Sequence, residues 1–326
     1  MARGDEADFN IPFEKRLLSL KNLKSIFIIR KILKAQGFNA IILNTNLAAF
    51  LVRLALPKRL KKTTKVVNFV HGYLFSREVG ALRRILFLLC EILVRKKCDV
   101  VITMNSHDFE AAKRYRLASG RVIASRGVGI RDRRAVRSPE KLRREFFDDG
   151  CRVITFVGEL SGRKNQAFII KNLPDIRARL GDVRLCLVGE GDERSRLTGL
   201  ARRLKIEDSV VFVGYRENAM DFIRACDLYV SSALIEGMPL NVIEAMSLGK
   251  TVLISRIKGH RDLVSDGVNG YLYDLGNREE FVTKACHILS GGIIDPRCIS
   301  DSVAECRRDV AVKQLLGILV EEIPGL

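Results

Sequence analysis

The sequence lacks several features that would assign it to a particular class of protein. Its eight cysteines are scattered without any Cys-x-x-Cys pair, and some stand inside apolar runs such as RLCLVG. This usage is typical of a reducing compartment, where buried thiols act as small apolar side chains. The first ten residues are polar and acidic, unlike a secretory signal peptide. These absences favour a cytoplasmic protein.

A long apolar run is also missing. The longest, ILFLLCEILV at 85–94, contains a glutamate and is about half as long as a membrane span requires. Basic residues stand on both sides of it. Two interpretations stay open. One is an amphipathic helix that faces the core, which is the commoner case, and the other is a helix that rests on a membrane surface.

Charge is distributed unevenly around a formal net charge of +18. Residues 1–150 hold 32 Lys and Arg against 14 Asp and Glu, whereas residues 151–326 hold 24 of each. A basic half-molecule favours an anionic membrane surface, a phosphorylated acceptor or nucleic acid. No aromatic residues interleave the basic clusters and no nucleic-acid motif surrounds them, so we expect a membrane surface rather than nucleic acid.

Strand-like apolar runs alternate with helical patterns along the chain, which predicts parallel sheets built from βαβ units. The length of 326 residues is enough for two domains. We predict a Rossmann-like first domain at 1–149, a second at 150–295 and a helical segment at 296–326, with the charged stretch 131–150 as the link. Strands of the first domain are predicted at 40–44, 65–70, 99–104 and 121–125. Those of the second are predicted at 152–158, 183–189, 210–214, 228–232, 251–255 and 270–274, with a short helix between the last two.

The stretch LIEGMPLNVIEAMSLGK at 234–250 places Glu236 in a loop and Glu244 in the helix that follows. Pro239 suits the first helical position, and Gly237 lets the backbone approach a ligand closely. The unbonded N–H groups at a helix start form an anion site. Here they belong to Met238, Leu240 and Asn241.

Glu244 shares a helix face with Leu240 and Asn241, so it can accept hydrogen bonds from a diol beside bound phosphates. Glu236 can reach hydroxyls on the other side of those phosphates. One carboxylate for each diol, with a diphosphate between them, describes a nucleotide sugar. The plainer alternative is that Glu236 caps the helix and Glu244 is solvated.

Three further motifs also stand where strands end. In FVGELSGRKNQ at 156–166, Gly158 ends a strand and Arg163 and Lys164 supply cations that suit a diphosphate. A glycine turn at Gly189 follows the next strand, and VGYREN brings Tyr215 and Arg216 to a third, where a base can stack or bond. Because parallel strands end at one edge of a sheet, these motifs are expected to converge.

His71 follows the strand VNFV in the first domain, again at the ligand-facing edge. It is one of four histidines in the chain. A histidine at a strand end is more often structural, and that alternative stays open. At TMNSHDFEAAK, Asn105 or Ser106 is predicted to cap a helix.

Taken together, EGMPLNVIE, FVGELSGRKNQ, LVGEGDE, VFVGYREN and GVNGYLY resemble glycosyltransferase family 4 in order and spacing. The resemblance is strong over 151–290 and extends back to about residue 12. It implies the GT-B fold, in which two Rossmann-like α/β domains with parallel sheets face a cleft. The family's opening strand and glycine-rich loop have no counterpart here, so we expect a first domain that is incomplete at its start.

The resemblance also implies residue roles. Lys164 would bind the donor diphosphate, Glu236 the sugar hydroxyls and Glu244 the ribose, while His71 would line the reaction centre. The implied catalytic residues are therefore His71, Lys164 and Glu236. The implied donor-binding residues are Gly158, Arg163, Lys164, Gly189, Tyr215, Arg216, Glu236, Gly237, Met238, Leu240, Asn241 and Glu244. Where the family usually has an arginine this chain has Glu159, and Arg163 is expected to compensate.

The implied activity is transfer of a hexosyl group, with retention, from a nucleoside diphosphate sugar, expected to be a UDP-sugar. The acceptor would be a glycan or a lipid-linked glycan of bacterial capsular or exopolysaccharide synthesis. No metal and no cofactor are expected, since cations and a helix start stabilise the leaving diphosphate. The protein would be peripheral on the inner face of the plasma membrane. A nucleotide-sugar epimerase and a nucleotide-sugar-binding subunit without catalysis stay open as alternatives.

Overall fold

The computed structural model of the protein describes residues 8–14, 19–75, 80–127, 129–130, 135–148 and 150–323. It forms two compact units, one of Met1–Gly127 with Gln314–Leu326 and the other of Val128–Lys313. Each unit contains its own parallel sheet, of four strands in the first and six in the second. The predicted α/β class with two parallel sheets is therefore confirmed.

The first sheet has the strand order β1-β2-β3-β4. All four predicted runs form its strands, which are β1 Ala40–Leu43, β2 Lys65–Val70, β3 Val100–Thr103 and β4 Arg121–Ala124. The helices of this unit are α1 Leu20–Gln36, α2 Asn46–Ala55, α3 Lys58–Lys61, α4 Ala81–Val94 and α5 Ser106–Arg114. Asn105 caps α5, because its side chain accepts a hydrogen bond from the backbone N–H of Asp108 at 2.8 Å.

Helix α4 contains the longest apolar run, and its two faces differ. Glu91 and Val94 are buried, and Phe87, Leu88 and Ile92 pack against the core of the first unit. The opposite face is also apolar but is exposed to solvent. The prediction of a core-facing helix therefore describes only one side of α4. Among the described residues, no helix is long and apolar enough to span a membrane.

The second sheet has the order β10-β9-β8-β5-β6-β7, and each neighbouring pair is parallel. Its strands are β5 Arg152–Val157, β6 Val183–Val188, β7 Val210–Gly214, β8 Leu228–Ser231, β9 Val252–Ser255 and β10 Tyr271–Tyr273. All six match predicted runs. Both faces of this sheet are covered, which explains the nearly continuous apolar sequence of the strands.

The helices of the second unit form the two covering layers. Helices α7 and α11 pack together, as do α7 and α8, whereas α6, α9, α10 and α12 form a second series of contacts. Their bounds are α6 Pro139–Phe146, α7 Gln166–Leu180, α8 Arg194–Arg203, α9 Ala219–Ala225, α10 Leu240–Ser247, α11 Arg278–Leu289 and α12 Pro296–Ser302. The last helix, α13 Arg308–Glu322, begins in the second unit and ends in the first.

Three sequence expectations differ from the structure in detail. The sequence predicts a link at 131–150, whereas in the structure α6 buries Leu142 in the core of the second unit, whose bounds begin at Val128. Residues 131–134 and 149 of that stretch lie outside the described residues. The short helix expected between β9 and β10 is a series of turns at 258–263. The tail from 296 is two helices joined by a 3-10 turn at Ala304–Cys306.

Candidate active site

The chain order of the second sheet creates a crevice at one point. After β5 the chain continues through β6 and β7 on one side, and it then returns to place β8 on the other side of β5. The loops that follow β5 and β8 therefore start from adjacent strand ends and run in opposite directions along the sheet. Doubly wound sheets bind their ligands at this kind of switch point. The motifs with Lys164 and Glu236 occupy these two loops.

Hydrogen bonds join the two loops directly. The backbone N–H of Leu234 donates to the carbonyl of Arg163 at 2.9 Å. The hydroxyl of Ser232 donates to the carbonyl of Asn165 at 2.8 Å. Asn165 itself has a left-handed backbone with a φ of 55°, which turns the chain into α7. The loops are thus held at a fixed separation.

Their side chains form a cluster of three charges. The Lys164 ammonium lies 2.5 Å from Oε1 of Glu236, and Nη1 of Arg163 lies 3.3 Å from the same oxygen. Lys164 and Glu236 are each only 8% exposed. The structure contradicts the alternative in which Glu236 caps α10, because the N-cap is Pro239 and the Glu236 carboxylate is bound to Lys164 and Arg163. Lys164 and Arg163 thus bring two cations to the crevice, where Glu236 and Glu159, whose carboxylate lies 3.8 Å from Arg163, balance their charge.

A buried histidine that the sequence analysis did not single out packs beside this cluster. His260 is fully buried, and burial lowers its pKa to about 4, so the ring is neutral. Its Nδ1 donates to the carbonyl of Ser255 at 2.7 Å. A Cβ on the neighbouring Gly259, which has a φ of +79°, would lie 2.6 Å from the carbonyl oxygen of Gly237. The turn at 258–263 therefore supports the backbone that carries Glu236. The position of His260 shortly after β9, in KGHRDLV, is the feature of the sequence that could have pointed to it.

Helix α10 begins at Leu240, one residue later than predicted. Pro239 is the N-cap, and its carbonyl accepts hydrogen bonds from Val242 and Ile243. This shift of one residue does not change the predicted anion site. The amides of Leu240 and Asn241 are still in the first turn, where a helix offers no carbonyl partner to an N–H group. Helix starts of this kind attract anions.

The side chain of Asn241 donates to the carbonyl of Val157, at the end of β5, at 2.7 Å. This bond turns one face of α10 toward the crevice. Glu244 lies three residues further on and therefore shares that face. Met238, the residue before the N-cap, is partly buried and packs against the core.

The glycine motifs have a packing reason of their own. A Cβ on Gly189 would lie 2.0 Å from the carbonyl oxygen of Gly158, and Gly189 has a φ of +146°. The N–H of Gly158 donates to the carbonyl of Val188, and that of Gly189 donates to Gly214, both at 2.9 Å. The close packing of successive strand ends thus requires glycine at 189 without any ligand.

Three of the predicted donor-binding residues, Tyr215, Arg216 and Arg163, have exposed or acidic surroundings. Tyr215 is 74% exposed and Arg216 is also exposed, just after β7. The carboxylate of Glu159 lies 3.8 Å from the guanidinium of Arg163. Glu159 would therefore compete with a phosphate for that guanidinium.

His71 lies in the first unit, immediately after β2. Its Nε2 is 2.7 Å from Oδ1 of Asn44, the residue that follows the neighbouring strand β1. Partial burial disfavours the charged imidazolium and lowers the pKa of His71 below its ordinary value. Asn44 was not singled out from the sequence, although it too follows a strand. No cluster of three or more His, Cys, Asp or Glu side chains able to hold a metal occurs among the residues that the structure describes.

Comparison with known proteins gives concordant results. Residues 138–301 match the family described as glycosyl transferases group 1. EpsD of Bacillus subtilis, which is named as a glycosyltransferase, is 25% identical over 281 residues, covering 85% of this chain and 74% of the relative. A UDP-Gal:α-D-GlcNAc-diphosphoundecaprenol α-1,3-galactosyltransferase of Escherichia coli is 24% identical over 300 residues, covering 88% of this chain and 76% of the relative.

Solved structures agree with the fold. The structure of HepE from Anabaena with UDP and glucose matches with a TM-score of 0.75 at 20% identity, covering 94% of this chain and 84% of that one. A lipopolysaccharide outer core galactosyltransferase, WaaB, matches with a TM-score of 0.70 at 20% identity, covering 95% of this chain and 83% of that one. At these identities the likeness concerns the fold, and it confirms the predicted GT-B class.

Proposed function

The chain belongs to the family of glycosyl transferases group 1, whose relatives act in polysaccharide and lipopolysaccharide synthesis, and we propose from this that it transfers a hexosyl group from a UDP-sugar with retention. One observation carries the proposal. The loops after β5 and β8 bring Lys164, Arg163 and Glu236 together at the switch point of the second sheet, beside the start of α10. Such an arrangement offers cations to a diphosphate and a carboxylate to hydroxyl groups.

In the proposed complex, Lys164 and the first amides of α10 hold the diphosphate. Arg163 can assist, although Glu159 competes for it. Glu236 exchanges its bond with Lys164 for the hydroxyls of the sugar, and Glu244 accepts from the ribose. Tyr215 and the backbone beside it face the base. The proposal of UDP is supported by the HepE structure, which holds UDP, and by the UDP-Gal relative of E. coli.

The proposed reaction exchanges one bond for another at the anomeric carbon. The bond to the diphosphate oxygen breaks and the acceptor hydroxyl oxygen bonds on the same face, while the hydroxyl proton passes to the departing diphosphate. Fixed cations and helix amides stabilise the developing negative charge without a metal. Glu236 positions the sugar by accepting hydrogen bonds from its hydroxyl groups. His71, in the first unit, is proposed to line the reaction centre.

We further propose that the acceptor is a glycan or a lipid-linked glycan of a bacterial cell-surface polysaccharide. The relative that acts on a diphosphoundecaprenol substrate supports a lipid-linked acceptor. The basic first half of the chain supports work at the inner, anionic face of the plasma membrane, with the protein peripheral to it. This proposal includes no nucleic-acid partner and no metal or other cofactor.

Calorimetry with UDP and a transfer assay test the proposal in two steps. We expect UDP to bind, and a UDP-hexose with a diphosphoundecaprenol-linked acceptor to give a product with the donor's anomeric configuration, which NMR can establish. Addition of EDTA should leave the rate unchanged. Conversion of the donor without acceptor would show an epimerase instead, and heat without turnover would show a binding subunit. No heat with any nucleoside diphosphate would overturn the proposed donor site.

A further inference from the structure

The outward side of α4 is apolar although it faces solvent. Its exposed apolar residues, here called the α4 stripe, have exposed fractions between 42% and 83%. They are Leu82, Ile85, Leu86, Leu89 and Leu93. Their spacing of i, i+3, i+4, i+7 and i+11 forms one continuous helix face over about 16 Å. A contiguous exposed apolar face of this kind marks an interaction surface.

The inner side of α4 fixes this orientation. Both carboxylate oxygens of the buried Glu91 accept hydrogen bonds from Nη2 of Arg53 on α2, at 3.0 and 2.9 Å. Arg53 is itself fully buried, and its Nε also donates to the carbonyl of Ala49. Rotation of α4 to bury the stripe would separate this pair and leave two charges without partners inside the protein. The stripe therefore stays on the surface.

Cations border the α4 stripe at both ends. Arg83 and Arg84 stand in the first turn of α4, and Lys96 follows its last turn with an exposed side chain. The positive end of the helix dipole disfavours cations in the first turn. The stability of the helix therefore does not account for Arg83 and Arg84, whereas an external anionic partner would.

Two other elements add charge beside the end of α4. Burial and the like charges of Arg30 on α1 and Lys58 on α3 lower the pKa of Lys97 below its ordinary value. Cations from three separate elements of the first unit thus lie close together next to one end of the stripe. The carbonyls of Leu54 and Leu56 accept hydrogen bonds from the Lys97 ammonium at 3.1 and 2.7 Å. These bonds offset part of the mutual repulsion of the cations, and a negatively charged surface would relieve the rest.

We propose that the α4 stripe and the cations at its ends dock the protein on an anionic lipid bilayer, with α4 parallel to the surface and the five apolar side chains at the boundary between headgroups and acyl chains. An apolar centre with a cationic border is the pattern of an interfacial helix. A second copy of this chain would bring its own cations against the same border, which opposes pairing through this face. The inference rests on the proposed function only in that a lipid-linked acceptor would lie in such a membrane.

Sedimentation of the full chain with vesicles tests the proposal. We expect binding to vesicles of mixed phosphatidylglycerol and phosphatidylcholine, and much weaker binding to phosphatidylcholine alone. Leu86→Ser with Leu89→Ser should lower the partition coefficient about tenfold or more, because two apolar contacts with lipid are lost. The matched control replaces two exposed apolar residues of α13, Leu316→Ser with Val320→Ser, and should bind as the wild type does.

Charge and depth can be measured separately. Arg83→Glu with Lys96→Glu should strongly reduce the preference for anionic vesicles, since Arg84 and the cations near Lys97 remain. Because the sequence has no tryptophan, Leu89→Trp introduces a single one, which can be excited selectively beside the six tyrosines. Its emission should shift to shorter wavelength when anionic vesicles are added, whereas that of Leu316→Trp should not.

The controls separate this proposal from the proposed donor site. Circular dichroism and UDP calorimetry should be unchanged in the Leu86→Ser, Leu89→Ser protein, so a failure of donor binding leaves the lipid result interpretable. The proposal is overturned if the wild type does not sediment with anionic vesicles, if the serine variant binds them equally well, or if Leu89→Trp shows no shift. A change from dimer to monomer in the serine variant, with vesicle binding unaltered, would assign the stripe to a second copy instead.

Discussion

Replacement of Lys164 by alanine acts on two measurable quantities, the free energy of unfolding and the affinity for UDP. In the free protein the ammonium contacts Glu236, and both side chains are nearly buried. Removal of one partner of a buried pair costs about 3–5 kcal/mol. Arg163 remains 3.3 Å from the same carboxylate oxygen and still neutralises part of the Glu236 charge. We therefore expect a loss of about 1–3 kcal/mol in chemical denaturation. Lys171→Ala, an exposed lysine on α7, should change stability by less than about 0.5 kcal/mol.

The affinity change follows from the proposed contact with the diphosphate. A hydrogen bond to a charged group contributes about 1.5–3 kcal/mol, so the Kd for UDP should rise about 10- to 100-fold in Lys164→Ala. Binding of uridine, which has no phosphate, should not change. Glu236→Ala should behave differently, because it frees the ammonium for the diphosphate. We expect UDP to bind that variant as well as or better than the wild type, while hexosyl transfer is lost. Calorimetry with UDP and uridine makes both comparisons.

Two results would refute this reasoning. Unchanged UDP affinity in Lys164→Ala would exclude the diphosphate contact, and an equal loss of uridine binding would mean that the loop, rather than one charge, had been disturbed. If Glu236→Ala weakens UDP binding as much as Lys164→Ala does, then Glu236 acts by positioning the lysine. A double-mutant cycle of the two substitutions measures their coupling in the free protein.

Three further predictions concern the surroundings of the site and the first unit. Gly189→Ala should destabilise the protein by about 3 kcal/mol or more in denaturant, because its Cβ would overlap a backbone oxygen at a φ that disfavours alanine. The neutral, buried His260 stabilises the fold fully above about pH 6.5, and this contribution, up to about 3 kcal/mol, is lost as pH falls toward the folded pKa of about 4. His260→Gln should remove this part of the pH dependence of the unfolding free energy. Arg53→Met should cost about 3–5 kcal/mol because it leaves Glu91 buried and unpaired, and adding Glu91→Leu should restore most of that loss.

Each of these predictions has its own check. Gly162 has open space around its Cα and serves as the control glycine, so an equal effect of Gly162→Ala would contradict the steric argument. An unchanged pH profile in His260→Gln would mean that other groups govern acid unfolding. If the double replacement at 53 and 91 does not recover stability, then the ion pair stabilises the protein by more than the neutralisation of each buried charge by the other.

The sequence by itself determined the class of the fold, the number of strands and the motifs of the second unit. Apolar runs of strand length, each followed by a helical period, specify βαβ units, because burial on both faces of a sheet requires continuous apolar strands. The same regularity placed Lys164 and Glu236 in loops that follow strands, and Asn241 in the first turn of the helix after the second loop, since parallel strands end at one edge. Boundaries were less well determined, as at Pro239, where a proline suits both the cap and the first turn.

Tertiary structure decided what local patterns leave open. Only the return of the chain to put β8 beside β5 brings Lys164 to Glu236, a residue 72 positions away. Only packing makes His260 a neutral support for that loop, because burial, not sequence, sets its pKa. An apolar helix has no intrinsic inner side, so the sequence of α4 fitted either a core or a surface helix. The pairing of Glu91 with Arg53 selects the inner side, and it thereby leaves five apolar side chains facing outward.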